Sequence, residues 1–248
     1  MNRNVTSFLI LLIALIVAGC RTTAPQNTDE GFVSRFNGRD LAGWRIPEGD
    51  NGHWKVVRGV IDYDALSEAK GEKHLWSEKS YQDFTLRLDW KIKRTTGFYN
   101  MPVVLPDGSV ELGPDGKPIT HARPNADSGV YLRGVGKAQI NIWCWPIGSG
   151  EVYGYRNDKS QPASVRAGVT PSVRADKPVG QWNTFEITMR GERLTVVLND
   201  ITVIKNAHLP GVPASGPIAL QHHGGMRNGE YSPASSLMQF RNISIKEL

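Results

Sequence analysis

Residues 182–205 read WNTFEITMRGERLTVVLNDITVIK. Apolar and polar side chains alternate almost one for one, and the runs are cut first at Gly191 and then at Asn199-Asp200. A period of two belongs to a strand with one face in a core and the other outside. Gly, Asn and Asp are the residues that tolerate tight reversals. The stretch therefore predicts three consecutive strands joined by short turns.

The same rhythm continues on both sides. WKVVRGVIDY (54–63) predicts two strands joined at Arg58-Gly59. FTLRLDWKI (84–92) puts Phe84, Leu86, Leu88 and Trp90 on one face and Thr85, Arg87, Asp89 and Lys91 on the other, the pattern of an antiparallel strand with one wet side. In SGVYLRG (128–134), Val130 and Leu132 point inward while Gly129, Tyr131 and Arg133 point outward. GPIALQHHG (216–224) and MQFRNISIKEL (238–248) add two more strands. No amphipathic helix of normal length is visible. Many short strands with regular turns predict an all-β sandwich or barrel and exclude a βαβ fold.

Two segments depart from this rhythm. Residues 95–126 carry two PDG triplets, and VVLPDGSVEL (103–112) reads as an exposed hairpin inserted between sheet strands, either covering a binding face or decorating the surface. Residues 138–155, AQINIWCWPIGSGEVYGY, alternate Ile140 and Ile142 with Gln139, Asn141 and Trp143, followed by Trp145. An outward face of amides and indoles suits sugar, whose hydroxyls need paired donors and acceptors and whose C–H face needs a flat ring.

At the N-terminus, Arg3 precedes the apolar run FLILLIALIV (8–17), which is short for a membrane span, and VAGC closes it at Cys20. That ending resembles a bacterial lipoprotein signal, so residues 1–20 are expected to be a signal peptide and Cys20 a lipidated N-terminus, with an ordinary signal peptide or an uncleaved anchor as the plainer alternative. Several acyl chains, at about 0.8 kcal/mol per buried methylene, would hold the protein stably at a membrane. The expected location is the bacterial cell envelope, lipid-anchored, periplasmic or cell-surface. Residues 21–31, RTTAPQNTDEG, are polar and aperiodic and read as a disordered tether, leaving residues 32–248 as one domain. The formal net charge is +5, with Lys and Arg scattered, which argues against a nucleic-acid surface. With Cys20 used by lipid, Cys144 stands alone and shares the parity of Ile140 and Ile142, the pattern of a core residue.

Seven fragments fall in the order of a known family: FNGRDLAGW (36–44), HWKVVRGVI (53–61), YQDFTLRLDWKI (81–92), DSGVYLRG (127–134), KPVGQWNTFEITMRGERLTVVLND (177–200), GPIALQHHG (216–224) and FRNISIKEL (240–248). Together they resemble the 3-keto-disaccharide hydrolase family. The resemblance implies a concanavalin A-like β-sandwich (jelly roll) of two curved antiparallel sheets, one of them concave, on a scaffold shared by lectins and glycoside hydrolases. It implies cleavage of glycosides oxidised at C3: a base removes the C2 proton, an enolate forms, the C1 substituent leaves and water adds back. That route needs a base near C2, a donor for the enolate oxygen and an acid for the leaving group.

Many relatives carry Glu near the position of Gln139 and Asp near that of Cys144, and this chain has neither. Glu151 and His223 are the replacement candidates, since His titrates near neutrality and Glu151 follows a flexible Gly150. Arg133 is a candidate clamp for an enolate or ketone oxygen. The substrate-binding candidates are Gln139, Asn141, Trp143, Trp145, Tyr131, Asp127 and Gln221. Plainer readings stand beside these: His223 as a loop cap or metal ligand, Glu151 as a turn residue or partner of Arg156, Arg133 paired with Asp127 or Asp89, and the tryptophans packed under a loop. His222 and His223 point to opposite faces, so no metal site is expected, although Asp and Asn of the 107–127 loops leave Ca²⁺ open. The expected function is an exported, lipid-anchored hydrolase or lyase acting on 3-keto sugars. The alternatives are a non-catalytic carbohydrate-binding lipoprotein on the same fold and a partner-binding surface protein that uses the inserted hairpin.

Overall fold

Alternation along residues 183–208 builds one edge of a large antiparallel sheet in the computed structural model, which describes residues 31–248. The expected signal peptide, Cys20 and all but the last residue of the expected tether lie outside the described residues. Strands β13 (Ile201–His208), β12 (Arg193–Leu198), β11 (Asn183–Arg190), β6 (Phe84–Ile92), β17 (Met238–Glu247), β4 (Val60–Tyr63) and β3 (Trp54–Val57) follow one another in space, and β1 (Val33–Ser34) also pairs with β17. A five-stranded sheet has the order β10 (Val135–Trp143), β9 (Asp127–Leu132), β14 (Gly216–Leu220), β5 (Leu75–Tyr81) and β2 (Trp44–Arg45).

The reversals lie where the sequence predicts them. Arg58 and Gly59 have φ of 51° and 79°, and Asn199 and Asp200 have 51° and 67°. Positive φ at both central residues matches the twist of a two-residue antiparallel hairpin. Phe84, Leu86, Leu88 and Trp90 of the large sheet and Val130, Leu132, Ile140 and Ile142 of the smaller sheet are buried in one hydrophobic cluster. Two sheets sharing a core in this way form a β-sandwich. The expected all-β sandwich is what the chain adopts.

Residues 95–126 form more than an exposed hairpin. Strands β7 (Phe98–Pro102) and β8 (Thr120–Pro124) pair along their length, and residues 103–119 extend them into a three-segment ribbon through Val103 N–H to Ile119 O, Glu111 N–H to Val103 O and Ile119 N–H to Glu111 O, each 2.9 Å. Met101 and Val104 are buried. At the tip, a Cβ on Gly108 would fall 2.8 Å from the carbonyl oxygen of Arg166, so the turn is docked against backbone. That carbonyl belongs to α2 (Ala163–Gly168), which with α1 (Tyr153–Arg156) lies in the connection from β10 to β11. A second short ribbon, β15 (Met226–Arg227) with β16 (Glu230–Tyr231), follows β14.

Candidate functional site

Register across the five-stranded sheet arranges its outer face, the one turned away from the core, as rows. Gln139, Tyr131, Ala219 and Trp76 stand in one row across β10, β9, β14 and β5. Beside it Asn141 pairs with Gly129, and the Gln221 N–H donates to Gly129 O at 2.9 Å. Next comes Trp143 opposite Asp127, and His223, two residues past Gln221, brings Nε2 to 3.9 Å from Asp127 Oδ2.

The floor is a network of amides. Gln139 Nε2 donates to Asn141 Oδ1 and to Gln221 Oε1, both at 2.5 Å, and Gln221 Nε2 donates to the Tyr131 hydroxyl at 3.0 Å. Asn141, Tyr131 and Gln221 are themselves buried, so they orient Gln139 more than they offer surface. Gly129 makes the close packing possible. A Cβ there would meet Gln139 Nε2 at 2.6 Å and the Ile140 carbonyl oxygen at 2.7 Å, and the carbonyl is fixed by the sheet. Gly129→Ala is expected to lose about 1–3 kcal/mol, read as a lower urea midpoint at unchanged slope.

Two histidines are held in opposite tautomers. His223 Nδ1 lies against the Ala234 carbonyl, which only accepts, so Nδ1 carries the proton and Nε2 carries a lone pair toward Asp127. His74 Nδ1 accepts the His222 N–H at 3.0 Å, so its proton sits on Nε2, 3.6 Å from Glu72 Oε1. Burial lowers the His74 pKa, against the opposing pull of Glu72, and keeps the ring neutral. The His74 ring packs edge-on against Tyr131 at 4.6 Å, and Trp76 stacks on Tyr131 at 5.8 Å. Burial pushes the Asp127 carboxyl up to about 6, against the pull of His223, and its Oδ1 has no hydrogen-bond partner.

Three candidate residues have other places. Arg133 sits at the turn after β9 with φ of 50°, buried, and its guanidinium donates to the carbonyls of Gln82, Gly191 and Pro213 and pairs with Asp83. It ties loops together and has no donor left for substrate. Glu151 is fully buried in an ion pair with Arg156; burial pushes its carboxyl up to about 7, against the pull of Arg156. It cannot touch a ligand. Trp143 is buried beneath Trp145, with ring centroids 4.2 Å apart and planes within 8°, and donates its N–H to Gly148 O at 2.6 Å. The more open Trp145 is the ring on that side, and it reaches the Tyr99 hydroxyl of the ribbon at 3.4 Å. Cys144 is buried and its thiol is pushed up to about 11 by burial, which leaves no thiolate for nucleophilic work.

Glu72, His74, Trp76 and Tyr99 join the site without having been singled out in the sequence. The signal was present for two of them: in HLWS (74–77), Leu75 and Ser77 face inward, so His74 and Trp76 face out. Among the described residues, no group of three or more His, Cys, Asp or Glu side chains is arranged to hold a metal ion.

A family model described as the 3-keto-alpha-glucoside-1,2-lyase-like domain matches residues 31–246. The chain belongs to that family. Membership supports a carbohydrate-active function and agrees with the resemblance carried by the seven fragments. No curated protein matches the chain. Among solved structures, two candidate glycosyl hydrolases from Parabacteroides distasonis ATCC 8503 share the fold of this lyase-like domain. One is 19% identical with a TM-score of 0.54, covering 88% of this chain and 84% of its own. The other is 18% identical with a TM-score of 0.51, covering 88% and 94%.

Proposed function

We propose that the chain cleaves glycosides whose sugar ring carries a ketone at C3, and that it works at the cell envelope, held by lipid on Cys20. The observation that carries the reading is the His223–Asp127 pair, set on the same sheet face as an amide floor, with Trp76 stacked on Tyr131 and Trp145 on Trp143. A C3 ketone acidifies the C2 proton. The pair takes that proton through a lone pair, the electrons pass into the enolate, and the C1–O bond breaks with the proton returned to the leaving oxygen. His74, neutral and protonated on Nε2, is suited to donate to the enolate oxygen as it gains charge. Gln139 binds hydroxyls and transfers no proton. Water then adds to the unsaturated sugar.

Purified residues 31–248 incubated with 3-keto-trehalose should release the leaving sugar. Sugar binding by calorimetry without turnover would support the non-catalytic carbohydrate-binding reading, which the tethered amide of Gln139 favours. Cys20→Ser should move the full chain from the membrane to the soluble fraction.

The pair also sets a pH dependence. Proton removal requires the pair unprotonated, so kcat/KM should rise as pH passes through about 6. The folded Asp127 pKa lies above its ordinary value of 3.8, so its contribution to stability is fully present below about 4 and is lost as pH rises through about 6. Asp127→Asn should therefore be more stable than wild type at pH 7, by ~1–3 kcal/mol, and no more stable at pH 4. Equal shifts at both values would remove the buried charge from the argument.

A further inference from the structure

A crevice opens at the end of the sandwich, where β6 and β10 finish and residues 174–179 cross the gap between the sheets. Its inner lobe, about 40 Å³, is bounded by Trp90, Trp143, Cys144 and Asn183. The adjoining outer lobe, about 490 Å³, is lined by Arg123, Pro124, Arg174, Asp176, Pro178 and Val179. The indole N–H of Trp90, a residue only 1% exposed, has no partner, and neither has Arg123 Nε. Asp176 is the acid of the crevice, and its carboxylate is engaged by the Ser149 N–H at 3.0 Å and lies 3.9 Å from Arg174 Nε. With Arg123, Arg174 and Lys177 against Asp176, positive charge is in excess. Pro124, Pro178 and the half-exposed Val179 supply apolar walls beside it.

A bare phosphate or sulfate would match the charge and leave the proline and valine walls unused. A neutral sugar would match neither. We propose that this crevice binds an organic carboxylate with a flat apolar body, its carboxylate held by Arg123 and Arg174 and its body lying against Pro124, Pro178 and Val179. Guanidinium forks suit carboxylates because two parallel N–H donors meet two oxygens. The site is separate from the His223–Asp127 pair. Trp143 lies between the two, bordering the inner lobe and stacking its ring under Trp145.

The test uses residues 31–248 with benzoate, benzamide and inorganic phosphate as probes, read by calorimetry and by Trp fluorescence. Benzoate is expected to bind with Kd of about 1 mM or tighter, and benzamide and phosphate at least about tenfold more weakly. Arg123→Gln with Arg174→Gln should weaken benzoate about tenfold or more. Val179→Asp, at an exposed position that does not endanger folding, should do the same by repulsion. Hydrolysis of 3-keto-trehalose, measured in parallel, keeps this result independent of the proposed reaction. Equal binding of benzoate and benzamide, equal binding of phosphate, no benzoate binding, or benzoate affinity unchanged in both variants would each overturn the assignment.

Discussion

Replacing His223 by Ala is expected to lower kcat for a 3-keto glycoside by ~10²–10⁴-fold, with the fold intact. The ring is one-third exposed, its N–H is used by the Ala234 carbonyl, and Nε2 is left facing Asp127. Asp127→Asn should cause a loss of the same order. Because the two groups act as a unit, the double variant should be little worse than the worse single one. Multiplying losses would mean that they serve separate steps. His223→Gln should not restore activity, since an amide has no lone pair basic enough to take a carbon-bound proton. Near-normal kcat in both single variants would end the proposal that this pair does the chemistry.

Replacing Glu151 by Ala should destabilise the domain by ~3–5 kcal/mol, because Arg156, only 4% exposed, is left with a buried and unpaired charge. Glu151→Gln should cost far less: the amide keeps an acceptor for Arg156, and burial already pushes the carboxyl toward neutrality, up to about 7. The pH profile separates the two roles of this residue. Its folded pKa is raised, so its stability contribution is fully present below about 4.5 and is lost as pH rises through about 7, and Glu151→Gln should flatten that decline. Urea denaturation at pH 5 and pH 8 reads both effects. If the Gln variant kept its stability and lost kcat as severely as His223→Ala, Glu151 would belong to the chemistry after all.

Strand parity made the fold and part of the site legible. Ile140 and Ile142 alternate with Gln139, Asn141 and Trp143, and Val130 with Gly129 and Tyr131, so the contents of the outer face followed from counting by two. The count fails where strands end. Arg133 continues the outward parity of Tyr131, but its φ of 50° at the turn swings the side chain among loop carbonyls. Glu151 is five residues from Arg156 along the chain, and only the turn into α1 brings the two charges together. Trp143 has the right parity and is still closed to ligand, because Trp145 folds back over it. Asp127, read in the sequence as a sugar contact or an ion-pair partner, takes its raised pKa from burial that no local pattern encodes. Trp76 lies on, and His74 immediately before, a strand whose exposed end, Glu78 to Ser80, is charged and polar, which masks the alternation before it.

The docked tip of the inserted ribbon bears on how ligand arrives. With Gly108 pressed against the Arg166 carbonyl and Met101 and Val104 buried, the stretch that carries Tyr99 to Trp145 is braced at its far end. It acts as a doorpost, not a door. Glycosides should then be selected by whether they fit a fixed aperture, and binding should follow simple one-step kinetics whose observed rate climbs linearly with ligand concentration and shows no plateau.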